Sequence, residues 1–348
     1  VAVEEISVLL VSWRDAGETL AAVESLAEAR DRIPADGVRV SLVVVDNDGG
    51  ELDRGALLAR WPDATLLVNE KNRGFGPAVN QAASVAHGDV LLLVNPDTRA
   101  EDEPYSEIAR AFDENRNAVA VAPRLTDEAY KVRGSGARRL APPGREDQFT
   151  FQLRRLPRLR DDARELLLVD HLVPNSRGRR RSRYADRDPE APLEVDQPAA
   201  AALAVRRSAF RAIGGFDEAF VPAWFDDVDL SARLLERGSI LYWPTARFHH
   251  RGGAAAEALG FARFLPAYYR NAIRYRRRRY GLPARAAYRS LLAAGMVLRL
   301  AALPLRRRPP RPRKEAARGY LRVLAVALLP LPPGEGRGEG GQIARDRP

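Results

Sequence analysis

Five runs of nearly uninterrupted apolar residues, separated by helical patterns, set the limits on how this chain can fold. They are "ISVLLVS" (Ile6–Ser12), "VSLVVVD" (Val40–Asp46), "ATLLVN" (Ala64–Asn69), "DVLLLV" (Asp89–Val94) and "AVAVAP" (Ala118–Pro123). Strands that are apolar on both faces must be covered on both faces. Helices are expected over Glu18–Ala29, around Leu52–Trp61, over Pro77–Ala86 with Pro tolerated at its start, and over "YSEIARAFDE". The alternation predicts an α/β fold with a doubly wound, mostly parallel sheet flanked by helices. In such sheets ligands bind beyond the carboxyl ends of the strands.

Those ends are polar. The first four strands finish at "SWRD", "DND", "NEKNRGFG" and "NPDT". Asn, Pro and Asp are ordinary turn residues, so "NPD" alone reads as a turn. Four termini rich in carboxylates and amides on one sheet edge read as a ligand crevice. Beyond Pro123 the pattern weakens. "GSGARRLAPPGRED" and "NSRGRRRSRYADRDPEAP" read as mobile loops, and order returns at "AAAALAVRRSAFRAIGGFDEAF" and "WFDDVDLSARLLERG". "SILYWPTARFHHRGG" reads as a strand leading to paired histidines, and "FARFLPAYYRNAIRYRRRRY" as a helix with a basic second half.

Charge divides the chain. From Arg270 to Pro348 there are 20 basic and 4 acidic residues, a net of +16, while residues 1–269 carry a net of −6. A basic segment on an acidic body is expected to have its own partner, a polyanion or an anionic membrane. The chain has no cysteine, which excludes a disulfide framework and thiolate metal sites and fits a reducing compartment. The segment "VAVEEISVLL" has neither the basic region nor the long apolar stretch of a signal peptide.

"ISVLLVSWRDAGETLAAVESL", "VVVDNDG", "NRGFGPAVNQA", "LLLVNPDT", "RRSAFRAIGGFDEAF" and "FDDVDLSARLLERG" occur in this order. Together they resemble the family-2 inverting glycosyltransferases, most closely the bacterial rhamnosyltransferase-like members. The resemblance covers roughly residues 6–275. It implies a GT-A fold over residues 1–275, with a nucleotide-sugar half to about residue 123 and an acceptor half over 124–275. It also implies transfer of a sugar from a nucleotide diphosphate with inversion, in cell-envelope polysaccharide synthesis. The sugar could be rhamnose, and the acceptor a glycan or a polyprenyl-linked sugar.

The resemblance also implies roles for particular residues. Asp97 takes the last position of the family's "DxD" metal motif, for Mg²⁺ or Mn²⁺, with Asn95 in place of the first Asp. Hard oxygen ligands suit these ions. His250, with His249 close behind, joins the metal or the diphosphate. Ser12, Trp13, Asp46, Asn72, Gly74 and Phe75 fall in the nucleotide-binding segments. Trp13 either stacks on the base or packs in the core, and Asn80 orients the "NRGF" loop. Asp227 matches the catalytic base, with Asp226 before it. The bland alternative is that Asp226, Asp227 and Asp229 cap the following helix, since acids favour helix N-termini, and both hold together if Asp226 or Asp229 caps while Asp227 does the chemistry. Asp226 and Asp217 are expected on the acceptor side, Asp217 either binding hydroxyls or shaping its loop. Where the family often has "DW..GA" this chain has "VDQPAAAA", with Gln197 and Ala200, which leaves the sugar undetermined.

Residues 276–348 read as a basic amphipathic helical extension with a disordered end. Its apolar stretches, "LLAAGMVLRLAALPLRRR" and "GYLRVLAVALLPLPP", are broken by Arg299, Pro304, Arg322 and Pro330, and are too short to span a bilayer. Helices lying on an anionic surface fit, as does a helical pair packed on the body. The expected location is the cytoplasmic face of the cell membrane. Three other function classes compete with this reading. A sugar nucleotidyltransferase calls for a Gly-rich loop with a basic residue after the first strand, which "SWRDAGETL" lacks. A non-catalytic glycan-binding relative does not explain why Asp97, Asp227 and His250 are all present. A nucleic-acid binder needs a recognisable module, and none is seen, so no nucleic-acid partner is expected.

Overall fold

The computed structural model describes residues 2–126, 148–173, 175–252, 260–305 and 312–329. The loop expected over residues 134–147 and the disordered end expected over 334–348 lie outside them. The first half alternates as expected: β1 (Glu5–Ser12), α1 (Ala16–Arg30), β2 (Arg39–Asp46), α2 (Arg54–Arg60), β3 (Thr65–Val68), α3 (Phe75–Val85) and β4 (Val90–Val94). β5 (Thr98–Glu101), α4 (Pro104–Glu114) and β6 (Ala118–Thr126) follow. Local chemistry fixes the helix starts. Asp15 caps α1 by accepting from the Glu18 amide, and Glu103 caps α4, whose first residue is Pro104.

The sheet runs β3-β2-β1-β4-β10-β6-β11-β5, with β10 at Ala202–Arg206 and β11 at Ser239–His250. β1 to β4 are mutually parallel, and β11 is parallel to β6. β10 is antiparallel to both β4 and β6, and β5 to β11. The parallel strands therefore share one carboxyl edge, which gathers the polar termini of β1 to β4 and the histidine end of β11. Two apolar clusters cover the sheet's two faces, one with α1, α2 and α4, the other with α3.

Residues 148–198, read as largely loop, hold short elements: α5 (Gln148–Gln152), β7 (Leu153–Arg154), α6 (Leu159–Leu166), α7 (Val169–Leu172), α8 (Arg177–Ser182), β8 (Leu193–Glu194) and β9 (Gln197–Pro198). β7 pairs with β9 as a small separate ribbon. α9 (Arg207–Ala212) and α10 (Asp226–Leu234) precede β11.

The C-terminal helices are α11 (Phe261–Ala302), broken at Gly281 (φ 79°), and α12 (Arg313–Leu328). They close a third apolar cluster that joins Tyr288, Leu292, Met296 and Val323 to Leu166, Phe225 and Val228. Much of the basic charge here is engaged internally. Arg276 is 3% exposed, pairs with Asp162 and stacks 3.9 Å from the Tyr288 ring centroid. Arg289 and Arg299 donate to backbone carbonyls, and Arg279 pairs with Glu236. Among the described residues no helix is long and apolar enough to cross a membrane.

Candidate active site

The turn after β4 answers the question that "NPDT" raises. The Thr98 amide donates to the Asn95 carbonyl at 3.1 Å, and the Asn95 amide to Ala201 O at 2.9 Å. Thr98 then opens β5, a strand too short and polar to be read from sequence, and pairs with His250 at the end of β11. This register sets His250 Nε2 3.4 Å from Asp97 Oδ1. The Arg251 amide donates to the Asp97 carbonyl at 3.1 Å. Burial pushes the Asp97 carboxyl up, but the His250 contact and the nearby Arg251 charge outweigh it, so the group is held below the ordinary aspartate value. Strand alternation turns His249 to the opposite face, beside Arg99 in the register. His250 is 7% exposed, and its Nδ1 and the Thr98 hydroxyl are buried without hydrogen-bond partners among the described residues.

The second carboxylate group opens α10. Trp224 (φ 72°) and Phe225 (φ 66°) both adopt left-handed backbone before it. Such conformations in non-glycine residues cost about 1–3 kcal/mol each and persist only when surroundings hold them. Here the Asn271 amide of α11, fully buried, reaches the carbonyls of Val221, Ala223 and Trp224 at 3.3, 2.9 and 3.1 Å. Phe225, at the N-cap of α10, offers no capping side chain. Asp229 pairs with Arg233 at 2.7 Å and does not cap, whereas backbone amides at the helix start, that of Asp227 among them, bond the Asp226 carboxyl. Asp227 is half-buried; Oδ1 accepts from the Val228 amide at 2.8 Å and Oδ2 from Gln197 Nε2 at 3.2 Å. Burial raises the Asp227 carboxyl, against the Val228 amide, the Arg154 charge and Gln197. Asp226 is buried beside it, and desolvation together with the Asp227 charge pushes it up to about 7.

The expected nucleotide edge is organised around a residue that received no role from sequence. Asn47 accepts from Asn69 Nδ2 at 3.0 Å and from the Arg73 amide at 3.1 Å, and donates to Asn72 Oδ1 at 3.0 Å. Asn72 also accepts from the Gly74 amide at 2.7 Å. Gly74 (φ 93°) adopts left-handed backbone, which favours glycine, although a Cβ there would meet only ordinary contact with the Val221 side chain at 3.4 Å. Asp46 is 1% exposed, and its oxygens accept from the Asp48 and Leu52 amides at 3.0 and 2.8 Å. It anchors the loop after β2 and presents no free carboxylate; the half-buried carboxylate there is Asp48. Ser12 is buried and shares a hydrogen bond with Thr19. Trp13 is half-exposed under the Arg14 guanidinium, 4.6 Å from the ring centroid, and is not a core residue.

The model for "Glycosyl transferase family 2" matches residues 7–186, just over half of the chain. The chain belongs to that family. This family-2 glycosyltransferase is 26% identical over 236 residues to the N-acetylglucosaminyl-diphospho-decaprenol L-rhamnosyltransferase of Mycobacterium tuberculosis, in strains CDC 1551 / Oshkosh and ATCC 25618 / H37Rv alike. The alignment covers 61% of this chain and 67% of each relative. Among solved structures, the mannosyltransferase PcManGT from Pyrobaculum calidifontis, in complex with GDP-Man and Mn²⁺, aligns with a TM-score of 0.50 at 15% identity, covering 93% of this chain and 86% of its own. That likeness shows the same GT-A-like architecture.

Two further residues expected at the family-2 site have structural roles in this conformation. Asp217 accepts from the Ala219 amide at 3.0 Å and pairs with Arg278, which shapes its own loop. Asn80 holds that same 214–218 loop, and not the "NRGF" loop, by bonding the Phe216 amide and carbonyl at 2.8 and 2.9 Å. Phe75 meets Phe216 edge-on at 5.7 Å. For a metal, Asp97 and His250 supply one carboxylate and one imidazole. No cluster of three or more metal-ligating side chains exists among the described residues. Two protein ligands suit a Mg²⁺- or Mn²⁺-type ion that completes its shell with phosphate oxygens and water, and the unpaired Nδ1 and Thr98 hydroxyl give the site polar capacity to spare.

Proposed function

We propose that this family-2 glycosyltransferase is metal-dependent and inverting, and moves a sugar, with rhamnose the first candidate, from a nucleotide diphosphate to a lipid-linked diphosphate sugar acceptor. The observation that carries the reading is the pairing of Asp97 with His250 at the sheet's carboxyl edge, together with a second, separately held carboxylate, Asp227, bound to Gln197 on the segment whose Ala201 carbonyl receives the Asn95 amide. In this reading residues 1–123 take the nucleotide sugar and 124–275 the acceptor. Asp97 and His250 hold the cation, with Asn95 and His249 adjacent. A divalent ion there would neutralise charge developing on the departing nucleotide diphosphate. Asp227 accepts the proton of the acceptor hydroxyl as its oxygen bonds the anomeric carbon, and the bond to the nucleotide diphosphate breaks on the opposite face. Gln197 and the Val228 amide aim its carboxylate. The decaprenol-linked acceptor named for the mycobacterial relatives supports the acceptor class, and Mn²⁺ with GDP-Man in the mannosyltransferase supports the metal.

The reading places the enzyme on the cytoplasmic face of a membrane. An exposed patch on α11 supports this: Leu282 is 63% exposed, next to exposed Tyr280 and the arginines Arg277 and Arg285. Burial, then the nearby Arg289 and Arg277 charges, hold Arg285 below the ordinary arginine value. A donor screen by nucleotide-diphosphate release tests the function, with dTDP-rhamnose first and UDP sugars next, each with Mn²⁺, Mg²⁺ or chelator. Release by none of them, without stabilisation by any nucleotide diphosphate, refutes it.

A further inference from the structure

The short ribbon β7–β9 places a second set of charges beside Asp227. Arg154 lies directly opposite Gln197 in the antiparallel register. Side chains opposite one another share a face, with Cβ atoms about 4.5–5.5 Å apart. Gln197 reaches Asp227 from that face, and the fully buried Leu153 takes the other. Arg154 is half-buried over the Phe151 ring, 5.6 Å from its centroid, and its guanidinium makes no hydrogen bond or ion pair among the described residues. Its charge is one of those that oppose the upward shift of Asp227.

A second arginine sits alongside. The Arg155 amide donates to the Ser182 carbonyl at 2.9 Å, which brings the start of one segment against the end of the other. Arg183 follows Ser182 and is half-buried; its amide donates to the Arg180 carbonyl at 3.3 Å, but its guanidinium has no hydrogen bond or ion pair among the described residues. Burial first, then the Arg154 and Arg179 charges, pull it below the ordinary arginine value, against the Glu165 and Asp170 charges. Two guanidinium groups without a hydrogen-bond or ion-pair partner among the described residues thus lie on adjoining segments, close enough that the Arg154 charge acts on Arg183, and Arg154 stands across the ribbon from the Gln197 that holds Asp227. Like charges kept together without partners are stabilised by an anion that bridges them. Guanidinium forks match phosphate oxygens in pairs.

We propose that Arg154 and Arg183 form a seat for the diphosphate of the acceptor, which orients the acceptor hydroxyl toward Asp227. The proposal rests on the glycosyltransferase reading above for the identity of the acceptor, but the seat itself rests on the ribbon geometry. Two diphosphates meet in such a site, the donor's and the acceptor's. The donor's belongs at Asp97 and His250 and needs metal there; the arginine seat needs none.

The test is calorimetric binding of inorganic pyrophosphate to the full chain in chelator. Wild type is expected to bind. Arg154→Gln and Arg183→Gln should each weaken binding about ten- to a hundredfold, the scale of one lost charge-assisted interaction. Arg154→Lys should recover part of it, and Asp97→Ala should leave it unchanged. A short-chain polyprenyl diphosphate sugar should compete with pyrophosphate, and a nucleoside diphosphate should not. In steady state the acceptor KM should rise by the same factor in both glutamine variants, with the donor KM within about twofold. No pyrophosphate binding in chelator, wild-type binding by both glutamine variants, or displacement by nucleoside diphosphate alone would overturn the seat. If pyrophosphate binds as expected but no donor is turned over, the function reading fails and the seat stands.

Discussion

Gln197 Nε2 donates to Asp227 Oδ2 at 3.2 Å, so the residue standing where the family often has Trp orients the carboxylate proposed as base. Asp227→Asn keeps the shape but cannot take the acceptor proton. Donor binding should survive, and turnover should fall by roughly two to four orders of magnitude, the usual scale for a general base. Rapid-quench turnover with saturating donor checks this; near-normal turnover would return Asp227 to a structural role at the start of α10.

Asp226 offers a stability test. Burial and the Asp227 charge raise its folded-state value to about 7, above that of an unfolded aspartate. A raised carboxyl gives stability that is complete below the unfolded value and is lost as pH rises through the folded one. Thermal stability should therefore decline between about pH 4 and pH 7 through this group. Asp226→Asn should flatten that decline and make the protein more stable than wild type at pH 8. Identical pH profiles of Tm for the two proteins would contradict the assignment.

Removal of everything after Arg279 tests the C-terminal helices. Truncation deletes Tyr288, Leu292, Met296, Leu303 and Val323 from the cluster that covers Phe225 and Val228. Full burial of one such side chain contributes about 1.5–3 kcal/mol, and whole domains are stable by only about 5–15 kcal/mol. The truncated chain should lose cooperative unfolding. A truncated chain with wild-type Tm would show the helices to be separable.

Membrane attachment is tested on the full chain. Arg277→Glu with Arg285→Glu reverses two charges of the exposed patch. Each basic residue near an anionic surface contributes about 1 kcal/mol, so co-sedimentation with anionic vesicles should drop at least tenfold. Binding of wild type should weaken in high salt. Absence of wild-type binding at low salt would remove the patch from the membrane reading.

The central parallel strands are legible because burial on both faces leaves continuous apolar runs; the edge strand β3 shares the apolar run although none of its residues is fully buried. β10 was harder to place, since an antiparallel strand between β4 and β6 carries no local mark of its neighbours. The Asp97–His250 pairing depends on β5, whose four residues "TRAE" have no apolar pattern. Arg276 looked like part of a basic surface stretch, and only the partners Asp162 and Tyr288, distant in sequence or across the Gly281 break, make it a core residue. The bridging role of Asn47 and the hold of Gln197 on Asp227 carry no local mark in the sequence for the same reason: an amide's role is set by the segments it bridges.

The most direct measurement of the central claim is nucleotide-diphosphate release from the preferred donor, titrated with Mn²⁺ and Mg²⁺, in wild type and Asp97→Ala at matched folding. Saturable metal activation in wild type, abolished or shifted to far higher metal in Asp97→Ala with Tm unchanged, is the expected result. Equal release by both proteins, with or without chelator, would contradict metal-dependent transfer at the Asp97–His250 pair.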